Sequence, residues 1–92
     1  MAVVVVAEFE GKDQGFYEQI SAKVMPDGQL PPGCQVHFAG PNENGWRVIT
    51  VWESQEDLER TRDERLIPAL GDIEGAAPPS IGLNPVHKMI TA

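Results

Sequence analysis

Valine fills four consecutive positions from Val3 to Val6, and the apolar stretch closes at Phe9 ahead of Gly11. β-Branched side chains on both alternating faces predict a strand covered on both sides, as a central strand is. From Asp13 the period changes. Phe16, Ile20 and Val24 recur at i, i+4 and i+8, which predicts an amphipathic helix from an Asp13 N-cap to about Met25. Pro26, Asp27 and Gly28 stop it, and Pro31-Pro32-Gly33 forms a stiff turn into a second strand, Cys34 to Ala39. The six residues Gly40 to Gly45 are dense turn chemistry. Trp46 to Glu53 then alternates cleanly, with Trp46, Val48, Thr50 and Trp52 on one face and Arg47, Ile49, Val51 and Glu53 on the other. The two strands make a β-hairpin. Ser54 caps a second helix, with Asp57 three residues on as a shortened capping box. Leu58, Leu66, Ile67, Ala69 and Leu70 form its core stripe, and Pro68 predicts an end or a kink near Ile67. Gly71 to Pro85 shows no convincing period and reads as a long loop able to close over a ligand; Val86 to Thr91 reads as the last strand.

The element order is strand, helix, strand, strand, helix, strand. It predicts an α+β class, ferredoxin-like βαββαβ domain over residues 1–92, with a four-stranded antiparallel sheet and both helices on one face. Two helices cover one side of the sheet only, whereas the third strand is apolar on both. The uncovered side would be a large exposed patch unless a second sheet lies on it. A second copy of the chain supplies that sheet, so the expected assembly is a homodimer whose sheets enclose a shared cavity. The tryptophan face is expected to line that cavity, with Arg47 and Glu53 flanking the helix-packed core.

Composition narrows the class of function. The chain has 92 residues, of which 41% are hydrophobic, an ordinary globular value that excludes a disordered chain. Fourteen acidic against seven basic residues give a net charge of −7, which argues against nucleic acid or an anionic membrane as partner. The longest apolar run, Ala2 to Ala7, is far short of the about 20 residues of a membrane helix, and it lacks the flanks of a signal peptide. The lone cysteine, Cys34, fits a reducing compartment, and a cytoplasmic location is expected. Gly71, Gly75 and Gly82 precede no helix, so they make no phosphate-cradling loop, and no flavin, nicotinamide or other cofactor is expected.

The segment Gly45-Trp46-Arg47-Val48-Ile49-Thr50-Val51-Trp52-Glu53-Ser54, followed by an acidic helix ending Arg65-Leu66-Ile67-Pro68-Ala69-Leu70, resembles small bacterial proteins of the dimeric α+β barrel superfamily, among them the antibiotic biosynthesis monooxygenase-like proteins. The recognisable sequence runs from about His37 to Leu70, and the element order matches over nearly the whole chain. That resemblance implies a homodimeric α+β barrel and a range of activities: cofactor-independent quinone-forming monooxygenases, haem-degrading enzymes and polyketide cyclases. Haem-degrading members carry an Asn on the first strand and a His on the second helix. Here Val3 to Ala7 contains no Asn and Gln55 to Leu70 no His, so a haem role does not carry over. The helical His of the common monooxygenase branch is absent as well.

The candidate chemistry rests on few residues. His37 and His87, read on the second and last strands, are the natural general bases near neutral pH. His37 would take a proton from a phenol or an acidic C–H, and His87 would be a second polar group. The alternative is that both are hydrogen-bonded strand histidines. Two histidines on separate strands lack metal-ligand spacing, so no metal is expected. Trp46 and Trp52 would wall a pocket for a planar aromatic molecule, or anchor the core or dimer interface; Thr50 between them offers a hydroxyl. Tyr17, beside the helix stripe, is within reach of a cavity mouth. Cys34, with no basic neighbour in sequence, reads as a small buried hydrophobe. The expected function is a cofactor-independent monooxygenase acting on an aromatic or polyketide-like small molecule. A polyketide cyclase, or a dimer that only binds a small molecule, would use the same pocket.

Overall fold

In the computed structural model, which describes residues 1–73 and 75–92, the chain runs β1 (Val3–Glu10), α1 (Gln14–Val24), β2 (Cys34–Asn42), β3 (Gly45–Trp52), α2 (Gln55–Thr61), α3 (Ile67–Gly71) and β4 (Ser80–Pro85), with a π-helical turn (Arg62–Leu66) joining α2 to α3. The sheet order is β2-β3-β1-β4, antiparallel throughout, which is the ferredoxin-like arrangement. β1 and β3 are the central strands, as the valine run predicts.

Local chemistry explains the helix starts. The Asp13 carboxylate accepts from the Phe16 backbone N–H at 3.0 Å, and the Ser54 hydroxyl accepts from the Asp57 N–H at 3.2 Å. The rest of the capping box is altered: the Ser54 hydroxyl donates to the Asp57 carboxylate at 3.0 Å, and Arg60 pairs with that same carboxylate. Arg65 reaches across to donate to the Val24 carbonyl at 3.0 Å, filling an acceptor that the end of α1 leaves open.

Three expected boundaries move. The hairpin loop is two residues, Glu43 and Asn44, because β2 continues through Gly40-Pro41-Asn42 to pair Asn42 with Gly45. A proline is tolerated there because β2 is an edge strand. The second helix does not stop near Ile67. It widens into the π-turn, where the Ile67 N–H bonds the Arg62 carbonyl, and resumes with Pro68 in the first turn of α3, where a missing N–H costs nothing. The last strand is Ser80–Pro85, inside the expected loop, and Val86 to Thr91 is irregular after one bond from Val86 N–H to the Ala2 carbonyl. Ile81 and Leu83 sit opposite Ala7 and Val5 on one face of that strand. Gly82 and Asn84 weakened the strand signal, but on an edge strand the pairing partner decides.

The core lies between the sheet and the helices, in two clusters. Phe9, Phe16, Ile20 and Ala69 form one, with Leu66 and Leu70 against it; Val3, Val5 and Trp52 form the other, with Cys34 and Leu58. Register settles which sheet face this is. Phe9, Ala7, Val5 and Val3 pair with Trp46, Val48, Thr50 and Trp52, so the tryptophan face packs under the helices. The expected orientation is therefore inverted, because β3 is apolar on both faces and alternation alone cannot say which one the helices cover. The opposite face carries two apolar rows across β1, β3 and β2, namely Val6, Ile49, Phe38 and Val4, Val51, Val36, then a charged row with Glu8 and Arg47.

Candidate functional site

A cavity of about 190 Å³ separates the two core clusters and is lined by members of both. It belongs to one chain, between the sheet and its own helices, rather than to the space between two sheets. Its sheet side includes Val5, Ala7 and Val48, and its helix side Phe16, Ile20 and Leu58. The exposed Gln55 and the half-buried Glu59 and Arg62 mark its solvent side. A site of this kind, apolar with a few convergent polar groups, suits a small uncharged ligand.

The polar groups are few and specifically connected. His37 stands on β2 opposite Thr50 of β3, on the helix-facing side. Its Nε2 lies 2.7 Å from the Tyr17 hydroxyl, which α1 presents from above. The two rings are tilted, with centroids 5.9 Å apart. Burial pushes the His37 pKa below its usual value, so the ring is a neutral imidazole at neutral pH. Thr50, 9% exposed, lines the cavity and accepts the Trp52 indole N–H at 2.8 Å. Cys34 also lines the wall; burial pushes its thiol pKa up, and it donates weakly to the Val36 carbonyl at 3.5 Å.

Trp46 takes a different place. It lies behind Tyr17 instead of on the cavity wall, stacked on the phenol ring at 5.4 Å and 29°. Its indole N–H is buried with no acceptor among the described residues. Thus Tyr17, His37, Thr50 and Trp52 come together at the cavity, with Trp46 directly behind. His87 does not join them. It follows β4 in the exposed C-terminal segment, beside Val4, Val51 and Met89 on the other face of the sheet. The sequence reading placed His87 on a strand, and the shift of β4 to Ser80–Pro85 takes it out of one.

Two features were not read from the sequence. The Tyr17–His37 bond spans twenty residues, and its only local signal is that Tyr17, Ser21 and Val24 share a helix flank at i, i+4, i+7. Thr61, 8% exposed, closes the helix side immediately before the π-turn, a place that the stripe of leucines does not announce.

No protein-family model matches the chain, and no curated protein matches its sequence. Solved structures do resemble it. Rv0793 from Mycobacterium tuberculosis superposes with a TM-score of 0.74 over 99% of this chain and 100% of that one, at 13% identity. SnoaB, a cofactor-independent oxygenase from Streptomyces nogalater, gives 0.67 over 99% and 97%, at 15% identity. A candidate antibiotic biosynthesis monooxygenase from Deinococcus radiodurans gives 0.64 over 100% and 98%, at 11% identity. Across near-complete lengths, the chain shares the α+β fold of these three structures.

Proposed function

We propose that the protein is a cofactor-independent monooxygenase for a small phenolic or quinol-like aromatic, acting as a cytoplasmic homodimer with one cavity per chain. The observation that carries this reading is a neutral imidazole, His37, hydrogen-bonded to Tyr17 inside an otherwise apolar cavity. A neutral imidazole accepts a proton from a phenol or an acidic C–H and leaves an electron-rich anion, which molecular oxygen can oxidise. For 1-naphthol as probe, one oxygen atom enters the ring and the other leaves as water: naphthol and O2 give 1,4-naphthoquinone and H2O. Thr50 would donate to the substrate oxygen, and Trp52 would hold Thr50 in place. The fold shared with SnoaB supports the reaction class, while the cavity volume favours one or two rings, since about 150 Å³ suffices for benzene.

Oxygen uptake and naphthoquinone formation with 1-naphthol test the reading. Turnover in the native protein and its loss in His37→Ala, with the dimer intact, is the expected result. Undiminished turnover in His37→Ala would remove His37 as the base. Binding without turnover would favour the non-catalytic alternative.

A further inference from the structure

The Nε2 of His37 is already engaged by the Tyr17 hydroxyl at 2.7 Å. A substrate cannot reach that nitrogen without displacing Tyr17. If Nε2 accepts, as a phenol O–H facing a neutral imidazole favours, Nδ1 carries the ring proton and has no lone pair to offer. The base strength of His37 is then expressed at the Tyr17 oxygen, which can accept from a substrate hydroxyl while it donates its own proton. Tyr17 is held for this task, with its ring stacked on Trp46 at 5.4 Å and tilted against His37. A clamped ring loses little entropy on binding substrate, which is what a group meeting the reacting atom needs.

Resting on the function proposed above, we infer that Tyr17 is the catalytic group that meets the substrate, taking the phenolic proton at its oxygen while passing its own to His37 Nε2. The step balances as two O–H bonds broken, the substrate's and Tyr17's own, against one O–H bond formed at Tyr17 and one N–H bond formed at His37, which leaves a phenolate in the cavity beside an imidazolium. Trp46 is a positioning residue. Among the described residues, the other ionisable side chains lining the cavity are Cys34 on β2, Glu59 on α2 and Arg62 in the π-turn, and its neutral hydroxyls are those of Ser21, Thr50 and Thr61.

Tyr17 is the single tyrosine of the chain, so biosynthetic 3-fluorotyrosine labels it alone. The experiment follows 1-naphthol on the intact protein by its naphtholate absorption band, the rate of quinone formation and the fluorine NMR line of labelled Tyr17. Tyr17→Phe, His37→Gln and the double variant are compared after circular dichroism shows that each is folded. If Tyr17 relays, naphthol binding moves the fluorine line, and each single variant loses about 100-fold in kcat with little change in KM. Ionisation of bound naphthol moves to higher pH in both. The double variant is no worse than either single, as expected of two groups acting as one unit. A Tyr17→Phe protein that ionises naphthol normally, while His37→Gln does not, would overturn the relay and leave His37 as a direct base. An unmoved fluorine line with naphthol bound overturns it by the labelled protein alone, without any variant. Failure of the native protein to bind naphthol overturns the function on which the relay rests, and the relay with it.

Discussion

Trp52 donates its indole N–H to the hydroxyl of Thr50, 2.8 Å away and two residues earlier on the same face of β3. Both side chains are buried, Trp52 at 4% exposure, so the bond removes what would otherwise be a buried donor at the cavity wall. Thr50→Val keeps the shape and removes the acceptor. The expected cost is about 1–3 kcal/mol in urea denaturation, the penalty of leaving a buried donor unmade. Thr50→Ser retains the oxygen and should recover most of the loss. Equal stability in the valine and serine variants would show that Trp52 needs no acceptor there.

Burial of His37 gives stability a defined pH dependence. Its pKa in the folded chain lies below the about 6.5 of an unfolded histidine, so between those values the unfolded state binds more protons. Stability attributable to this group is therefore complete above about pH 6.5 and is lost as pH falls through the folded value. Melting temperature should fall on acidification from neutral pH, and His37→Gln should fall less steeply over the same window. Parallel curves for the two proteins would mean that His37 titrates alike folded and unfolded.

How much of this could be read beforehand differs by element. The N-caps Asp13 and Ser54, the stripe through Phe16 and Ile20, and the strand Trp46–Trp52 are local signals, and each appears where its residues put it. β4 carries a weak local signal because Gly82 and Asn84 interrupt it; it exists because Ile81 and Leu83 pair with β1 more than seventy residues earlier. The face of β3 was equally beyond local reading. Val48 and Ile49 are both apolar, and only packing against α1 and α3 decides that Val48 turns toward the helices. For the site, His37, Thr50, Trp52 and Tyr17 were nameable as residue types with suitable chemistry. Their convergence was not, because the Tyr17–His37 bond and the Trp46–Tyr17 stack both join α1 to strands distant in sequence.

Gly33 ties the Pro-Pro-Gly turn to the start of α2. Its φ is +87°, and a Cβ there would run into the Asp57 side chain. Its carbonyl also accepts the Glu53 N–H at 2.8 Å, just before the Ser54 cap. Gly33→Ala combines left-handed strain with this overlap, and should destabilise by about 1–3 kcal/mol. Shortening the obstacle in Asp57→Ala should lower the penalty without abolishing it, since the backbone strain remains. Additive effects of the two substitutions would show that the side chains do not meet.

Cys34 reports on the cavity without any change in sequence. Burial raises its pKa, so little thiolate is present at neutral pH, and iodoacetamide should modify the folded protein much more slowly than the urea-unfolded chain. Cys34 lines the same wall as Thr50 and Trp52, so 1-naphthol should slow the reaction further. Mass spectrometry of the alkylated chain measures both rates. Protection by urea-free conditions but not by naphthol would place the ligand elsewhere than this cavity.

The helix-free face of the sheet bears on assembly. Val6, Ile49 and Phe38 line up across three strands, with Val4, Val51 and Val36 in the next row, and Phe38 is 61% exposed. Among the described residues, no helix covers these rows, and burying each large aliphatic or aromatic side chain is worth about 1.5–3 kcal/mol. A second copy presents the same two rows, and a twofold contact is self-complementary by construction. The charged row of Glu8 and Arg47 beside them lets each chain set its own opposite charges against the other's. The protein should sediment as a dimer of 10.1 kDa chains, and Ile49→Glu, which puts a carboxylate at the centre of the apolar rows, should give a folded monomer. Because the cavity lies on the other side of the sheet, that monomer should still bind 1-naphthol. A native monomer would remove the second copy from the proposal, while a monomeric variant that no longer binds would mean that dimer contacts hold the cavity open from behind.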